Sequence, residues 1–181
     1  MPIVLGLDPG TRHFGWGVVE RAGTRLVHRA HGIVHTDPDA PIAARLVVIE
    51  RALVGVVGAH APQVASIEAL FYAKDAQAAA KLGHARGVAL LVCAREGLDV
   101  HEYAPALVKR AVAGSGRAEK SRVAQMVRVV LGLLEAPPAD AADALALAVT
   151  HLQRIPCLAA AAWPSPARAR HGKLRWRNPS G

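Results

Sequence analysis

Aromatic side chains are scarce in this 181-residue chain: three Trp, two Tyr and two Phe make up 4% of it, so each is informative about where it sits. Cysteine is scarcer. Two residues, Cys93 and Cys157, make no zinc-like cluster, and Cys93 within "GVALLVCAREG" reads as a buried thiol. A reduced, cytoplasmic setting is the expectation. Long apolar runs are missing too. Charges or glycines interrupt every run before the roughly 18 residues a membrane span needs, so no membrane partner is expected. The N-terminal "MPIVLGLDPG" lacks a basic region and a cleavage site, and it reads as a strand instead of a signal peptide. Acidic residues are in deficit: 14 Asp and Glu against 22 Lys and Arg, a formal charge of +8. Such a balance favours a polyanionic partner. Residues 156–181 hold five Lys/Arg and no acid, which leaves the rest at +3. Any specific site must therefore lie in the body.

With 52% apolar and 20% charged residues, the composition is that of a globular protein of one sizeable core. The run from about Ile3 to Leu7 reads as a buried strand. "HFGWGVVE" and "RLVHRAHGIVHT" alternate as two more strands, joined by a hairpin turn at Ala22-Gly23-Thr24. The period then becomes helical, with Ile42, Leu46, Ile49, Leu53 and Val56 or Val57 on one stripe between Pro41 and Pro62. "QVASIEAL" is a short strand with Glu68 at its end. "DAQAAAKLGHARGVALLVCAREG" is a long helix stopped by Gly97, and "LDVHEY" is a fifth strand. Three helices follow, in "APALVKRAVAG", "AEKSRVAQMVRVVLGLL" and "ADAADALALAVTHLQR". The order predicts an α/β domain over residues 1–155, a mixed five-stranded sheet flanked by helices. Residues 156–181, rich in Ala, Pro and Arg without periodicity, read as a basic flexible tail. Its Arg, Lys and Trp176 would add weak, unspecific affinity for nucleic acid.

Four carboxylates stand out by position. Asp8 ends the first strand ahead of Pro9-Gly10, and Glu68 ends the fourth. Asp140 and Asp143 lie three apart at the start of a helix and share a face. Taken singly, each has an ordinary reading: a turn residue at Asp8, a solvated Glu68, an N-cap at Asp140 and a first-turn charge at Asp143. Together they repel one another unless a cation sits between them. An all-oxygen cluster suits Mg²⁺ or Mn²⁺, and two such ions can drive hydrolysis of a phosphodiester. Whether the four converge depends on the fold.

The stretches "GLDPGTRHFGWGVVE", "SIEALFYAKDAQAAAKLGHARG", "YAPALVKRAVAGSGRAEKSRVAQMV" and "ADAADALALAVTH" follow one another as the motifs of a known family do. In order and spacing the chain resembles the RuvC family of bacterial Holliday-junction resolvases, over about Pro2 to Arg154. The resemblance implies a ribonuclease-H-like fold and a homodimer. It further implies that Asp8, Glu68, Asp140 and Asp143 bind two Mg²⁺ or Mn²⁺ ions per subunit, with Asp8 bridging. Phe71 matches an aromatic that stacks on an unpaired base, a role Tyr72 would share; the residues alone leave open that either ring closes the core. Lys109 and Lys120 match lysines near the active site, and Lys120 would offset charge at the scissile phosphate. Lys74, Lys81, Arg86 and Arg117 are expected to contact the DNA backbone on the same surface. His13, His84 and His101 read as structural, since none has the spacing of a metal site.

The implied activity is that of a structure-selective endonuclease active in recombination and DNA repair. A C2 dimer would bind four-way junction DNA and make two symmetric, metal-dependent nicks. Water attacks, the 3′ oxygen leaves, and no covalent enzyme intermediate is needed. The helix "AAAKLGHARGVALLV" is the expected dimer interface, and the resemblance also implies a RuvA-RuvB branch-migration partner. Three other readings fit the residues less well. An actin-like or sugar-kinase-like ATPase lacks its second half in 181 residues. A non-catalytic junction binder gains nothing from four acids facing a phosphate. A different nuclease of the same fold is disfavoured by Phe71 and the "GSGRAEK" segment.

Overall fold

The computed structural model describes residues 2–69 and 76–155. Strands β1 (Ile3–Asp8), β2 (His13–Ala22) and β3 (Arg25–His35) come first, then helix α1 (Ile42–His60) and strand β4 (Val64–Glu68). Helix α2 (Ala76–Arg95), strand β5 (Asp99–Tyr103) and helices α3 (Pro105–Ala113), α4 (Lys120–Leu131) and α5 (Ala139–Arg154) complete the described chain. The five strands form one mixed sheet in the order β3-β2-β1-β4-β5. β1 is antiparallel to β2 and parallel to β4, and β4 is parallel to β5. This is the expected α/β architecture.

Local chemistry accounts for the elements. β1 is almost wholly aliphatic because helices cover both faces of the sheet at its centre. Leu5 and Leu7 join Phe14, Val18 and the α1 residues Ile49 and Leu53 in one core layer. Val4 joins the opposite layer, with Val123 and Val127 of α4 and Leu145 of α5. Side chains alternate along a strand, so Gly6 and Asp8 share the face of Val4. The buried stripe of α1 runs over Ile49, Leu53, Val56 and Val57, while Ile42 at its first position is 38% exposed. α2 ends two residues before Gly97, whose φ of 72° a glycine adopts without steric cost. Cys93 is buried, and burial pushes its thiol up to about 12, as an inert core position requires. Among the described residues no helix is long and apolar enough to cross a membrane.

Candidate active site

The two central parallel strands end side by side. Leu7 pairs with Ile67, which brings the next residues, Asp8 and Glu68, to neighbouring positions at one end of the sheet. Across the antiparallel ladder Asp8 faces Gly15. Helix α5 lies on the same face, and glycine lets it come close. A Cβ on Gly6 would stand 1.8 Å from the carbonyl oxygen of Ala144, and one on Gly15 would stand 2.1 Å from that of Asp140. These two strand positions therefore hold the first turn of α5 against the carboxyl end of β1. α5 begins at Ala139, after Pro138 at the cap position. Asp140 is thus a first-turn residue, which corrects the N-cap reading: the cap is taken by a proline that offers no side-chain acceptor. Asp143 follows one turn later.

Asp8, Glu68 and Asp143 line a cavity of about 250 Å³, together with Lys109 of α3 and Lys120 of α4. Asp140 is not in its wall, yet its charge reaches Asp8. Burial first, then Asp143 and Asp140, then more weakly Glu68, push the Asp8 carboxyl up to about 7; Lys120 opposes them. Glu68 is raised as well, by burial and by Asp143, against Lys120 and Lys109. Lys120 Nζ donates to Asp143 Oδ2 at 2.9 Å, and that contact leads the effects that raise the lysine. The acids that raise Asp8 and Glu68 form a negative field that a cation relieves. Their oxygen-only donor set fits a hard divalent ion. Among the described residues, no three carboxylate, imidazole or thiol groups already stand at the spacing that would hold one ion.

The other expected site residues divide. Lys109, half-buried, and Lys120, exposed, reach the cavity. Lys81 and Arg117 are exposed and do not line it. Phe71, Tyr72 and Lys74 lie outside the described residues, as does the tail. Arg86 requires a correction. It is 6% exposed, and its guanidinium is spent on the Glu68 carbonyl at 2.6 Å and on Glu102 Oε1 at 2.6 Å, so it does not face a DNA backbone. Of the histidines, His13 pairs with His35, and the ring of His101 lies 4.6 Å from that of His151, tilted by 51°. His151 itself escaped the sequence reading. It is buried, bonded to the Tyr103 hydroxyl at 2.7 Å, and burial pushes it down to about 4. Gly6 and Gly15 also escaped it, although glycine at same-face positions of apolar strands, opposite an alanine-rich helix, was the available signal.

Comparisons with known proteins accord with this geometry. The family described as "Crossover junction endodeoxyribonuclease RuvC" matches residues 4–151. A relative from Sorangium cellulosum bearing that same description is 54% identical over 175 residues, covering 95% of this chain and 98% of its own. The structure "T. thermophilus RuvC in complex with Holliday junction substrate" superimposes with a TM-score of 0.80 at 36% identity, covering 92% of this chain and all of that one. The yeast mitochondrial Holliday junction resolvase Ydc2, at 14% identity and a TM-score of 0.57, covering 81% of this chain and 76% of its own, shares the fold.

Proposed function

Because the chain belongs to the crossover junction endodeoxyribonuclease RuvC family, we propose that Asp8, Glu68, Asp140 and Asp143 are the catalytic metal ligands of a Holliday-junction-resolving endonuclease. The nuclease activity and its junction substrate follow from membership.

The observation that carries it is the state of Asp8. A carboxyl pushed up to about 7, first by burial and then by the charges of Asp143, Asp140 and Glu68, stands in the cavity that Glu68 and Asp143 share, and marks a point where negative charge has been gathered at a cost to the fold. When bound, two Mg²⁺ or Mn²⁺ ions supply Lewis-acid stabilisation to the attacking and leaving oxygens of the phosphodiester. The chain's own groups do the rest. Asp8, central to the cluster, would be one of the ligands that hold the ions. Glu68 and Asp143 flank it, and Asp140 completes the set from the first turn of α5. Lys120 exchanges its ion pair with Asp143 for the scissile phosphate and offsets the charge that develops there. Lys109, across the cavity, engages a backbone phosphate. Phe71, with Tyr72, stacks on an unpaired base at the junction centre, and Lys74, Lys81 and Arg117 hold the arms.

Junction DNA has two-fold symmetry, so a C2 homodimer with one site for each of two strands suits it. The outward face of α2 is the proposed interface, and the RuvA-RuvB complex the proposed delivery partner, by family resemblance. A cytoplasmic setting accords with a DNA-processing enzyme.

The test compares wild type with Asp8→Asn on a synthetic four-way junction with a mobile core. Paired symmetric nicks are expected from wild type only with Mg²⁺ or Mn²⁺. Asp8→Asn should bind the junction within about threefold of wild type yet cleave at least 10³-fold more slowly. Cleavage by Asp8→Asn at the wild-type rate would remove Asp8 from the ligand set.

A further inference from the structure

We propose that Arg86 is a positioning residue for Glu68, holding the end of β4 so that the glutamate meets the divalent ion; this rests on the reading of Glu68 as a ligand. Arg86 projects from α2 into the edge of the sheet and is 6% exposed. An arginine is rarely buried unless its charge and its donors are met. Here Nη2 pairs with Glu102 Oε1 at 2.6 Å, while Nη1 donates to the main-chain carbonyl of Glu68 at 2.6 Å. Glu102 belongs to β5, where it pairs with Ile67, the residue before Glu68. The planar fork of the guanidinium therefore ties one helix to two adjacent strands at the point where the parallel ladder ends.

That point matters for Glu68. Beyond it, the ladder contributes one more bond, from the Ala69 amide to the Tyr103 carbonyl at 2.9 Å. The Glu68 carbonyl is fixed by Arg86. Fixing it sets the peptide plane beside the Cα–Cβ bond of Glu68, and hence the direction in which the carboxylate enters the cavity. Outer-shell groups that orient a ligand commonly cost 10- to 100-fold in metal affinity or activity when removed. A lysine cannot make both contacts in one plane, so Arg86→Lys is not a conservative change here.

The test measures Mn²⁺ binding to full-length protein without DNA, by electron paramagnetic resonance of the free ion. Alongside it, junction affinity in EDTA is measured over a range of salt. Arg86→Met and Arg86→Lys are expected to raise the Mn²⁺ dissociation constant about tenfold or more. Junction affinity and its salt slope should stay unchanged. Glu102→Gln should shift Mn²⁺ binding the same way by a smaller factor, and it carries the test if the Arg86→Met protein does not fold. Wild-type Mn²⁺ binding in folded Arg86→Lys and Glu102→Gln would overturn the proposal. So would a weaker junction complex with the salt slope reduced by about one, the mark of a lost phosphate contact. Glu68→Gln separates the two layers. If it binds Mn²⁺ like wild type, the ligand reading of Glu68 fails and this proposal with it. If it loses Mn²⁺ affinity while the Arg86 and Glu102 variants do not, only the positioning role fails.

Discussion

Asp8 holds two roles in tension. As the last residue of β1 it is partly buried, and as a neighbour of Asp143, Asp140 and Glu68 it sits in a negative field. Its carboxyl ionises near 3.8 in an unfolded chain and near 7 in the fold. Between those values the folded chain holds the extra proton, so metal-free stability should fall as pH rises from about 4 to about 7. Above pH 7 the loss is complete, and Asp8→Asn should then be more stable than wild type by about 2–4 kcal/mol. Urea unfolding in EDTA at pH 5 and pH 8 measures this; equal stabilities at pH 8 would refute the strained carboxylate. Added Mg²⁺ should reverse the trend, raising Tm more at pH 8 than at pH 5, because the ion competes with the proton.

At the scale of elements, the decisive contact is between α5 and the β1-β2 ladder. α5 is buried nearly all round, from Ala141 to Leu152, with its alanines allowing close packing on the sheet. Gly15 gives its place to the Asp140 carbonyl. Gly15→Ala must move that backbone or the strand, at a cost of about 1–3 kcal/mol. The displaced first turn carries Asp140, and the same turn leads to Asp143. Cleavage should fall about 10²-fold, measured well below the variant's Tm, since small misplacements of reacting groups are that costly. Gly55→Ala in α1 is the control. A Cβ there meets nothing within 4 Å, so the change should leave the cleavage rate intact and raise stability by about 0.5–1 kcal/mol.

For the whole molecule, the two faces of the sheet divide the work. α3, α4 and α5 cover the side that holds the carboxylates, while α1 and α2 cover the other. The second pair leaves apolar side chains in water: Leu91 is 47% exposed, and Val47 and Val48 are 45% exposed. Beside Leu91, Cβ atoms on Gly83 and Gly87 would meet nothing within 4 Å. A second copy docking on this face would bury these residues and bring α2, with Arg86 on its inner side, between the interface and Glu68. Leu91→Asp should weaken dimerisation about tenfold or more by analytical ultracentrifugation. Val129→Asp on α4, 62% exposed in wild type, should not. The reverse pattern would move the interface to the other face.

The order of strands and helices was legible in the sequence because alternation and helical period are local properties. So were the four acids, since each closes or opens an element whose limits Pro, Gly and the apolar pattern mark. What the sequence left open was their meeting. Asp8, Glu68 and Asp143 are separated by tens of residues, and parallel pairing of β1 with β4, not spacing, sets the first two side by side. Nor could the sequence say how near α5 comes, because that distance depends on two glycines meeting two carbonyls across the core. Arg86 marks the limit most clearly. A charged residue on a helix reads as solvent-facing until the packing of α2 turns it inward and supplies an acid on β5 and a carbonyl on β4 to receive it. Local chemistry determined the elements and their acids; burial and long-range pairing decided which groups touch.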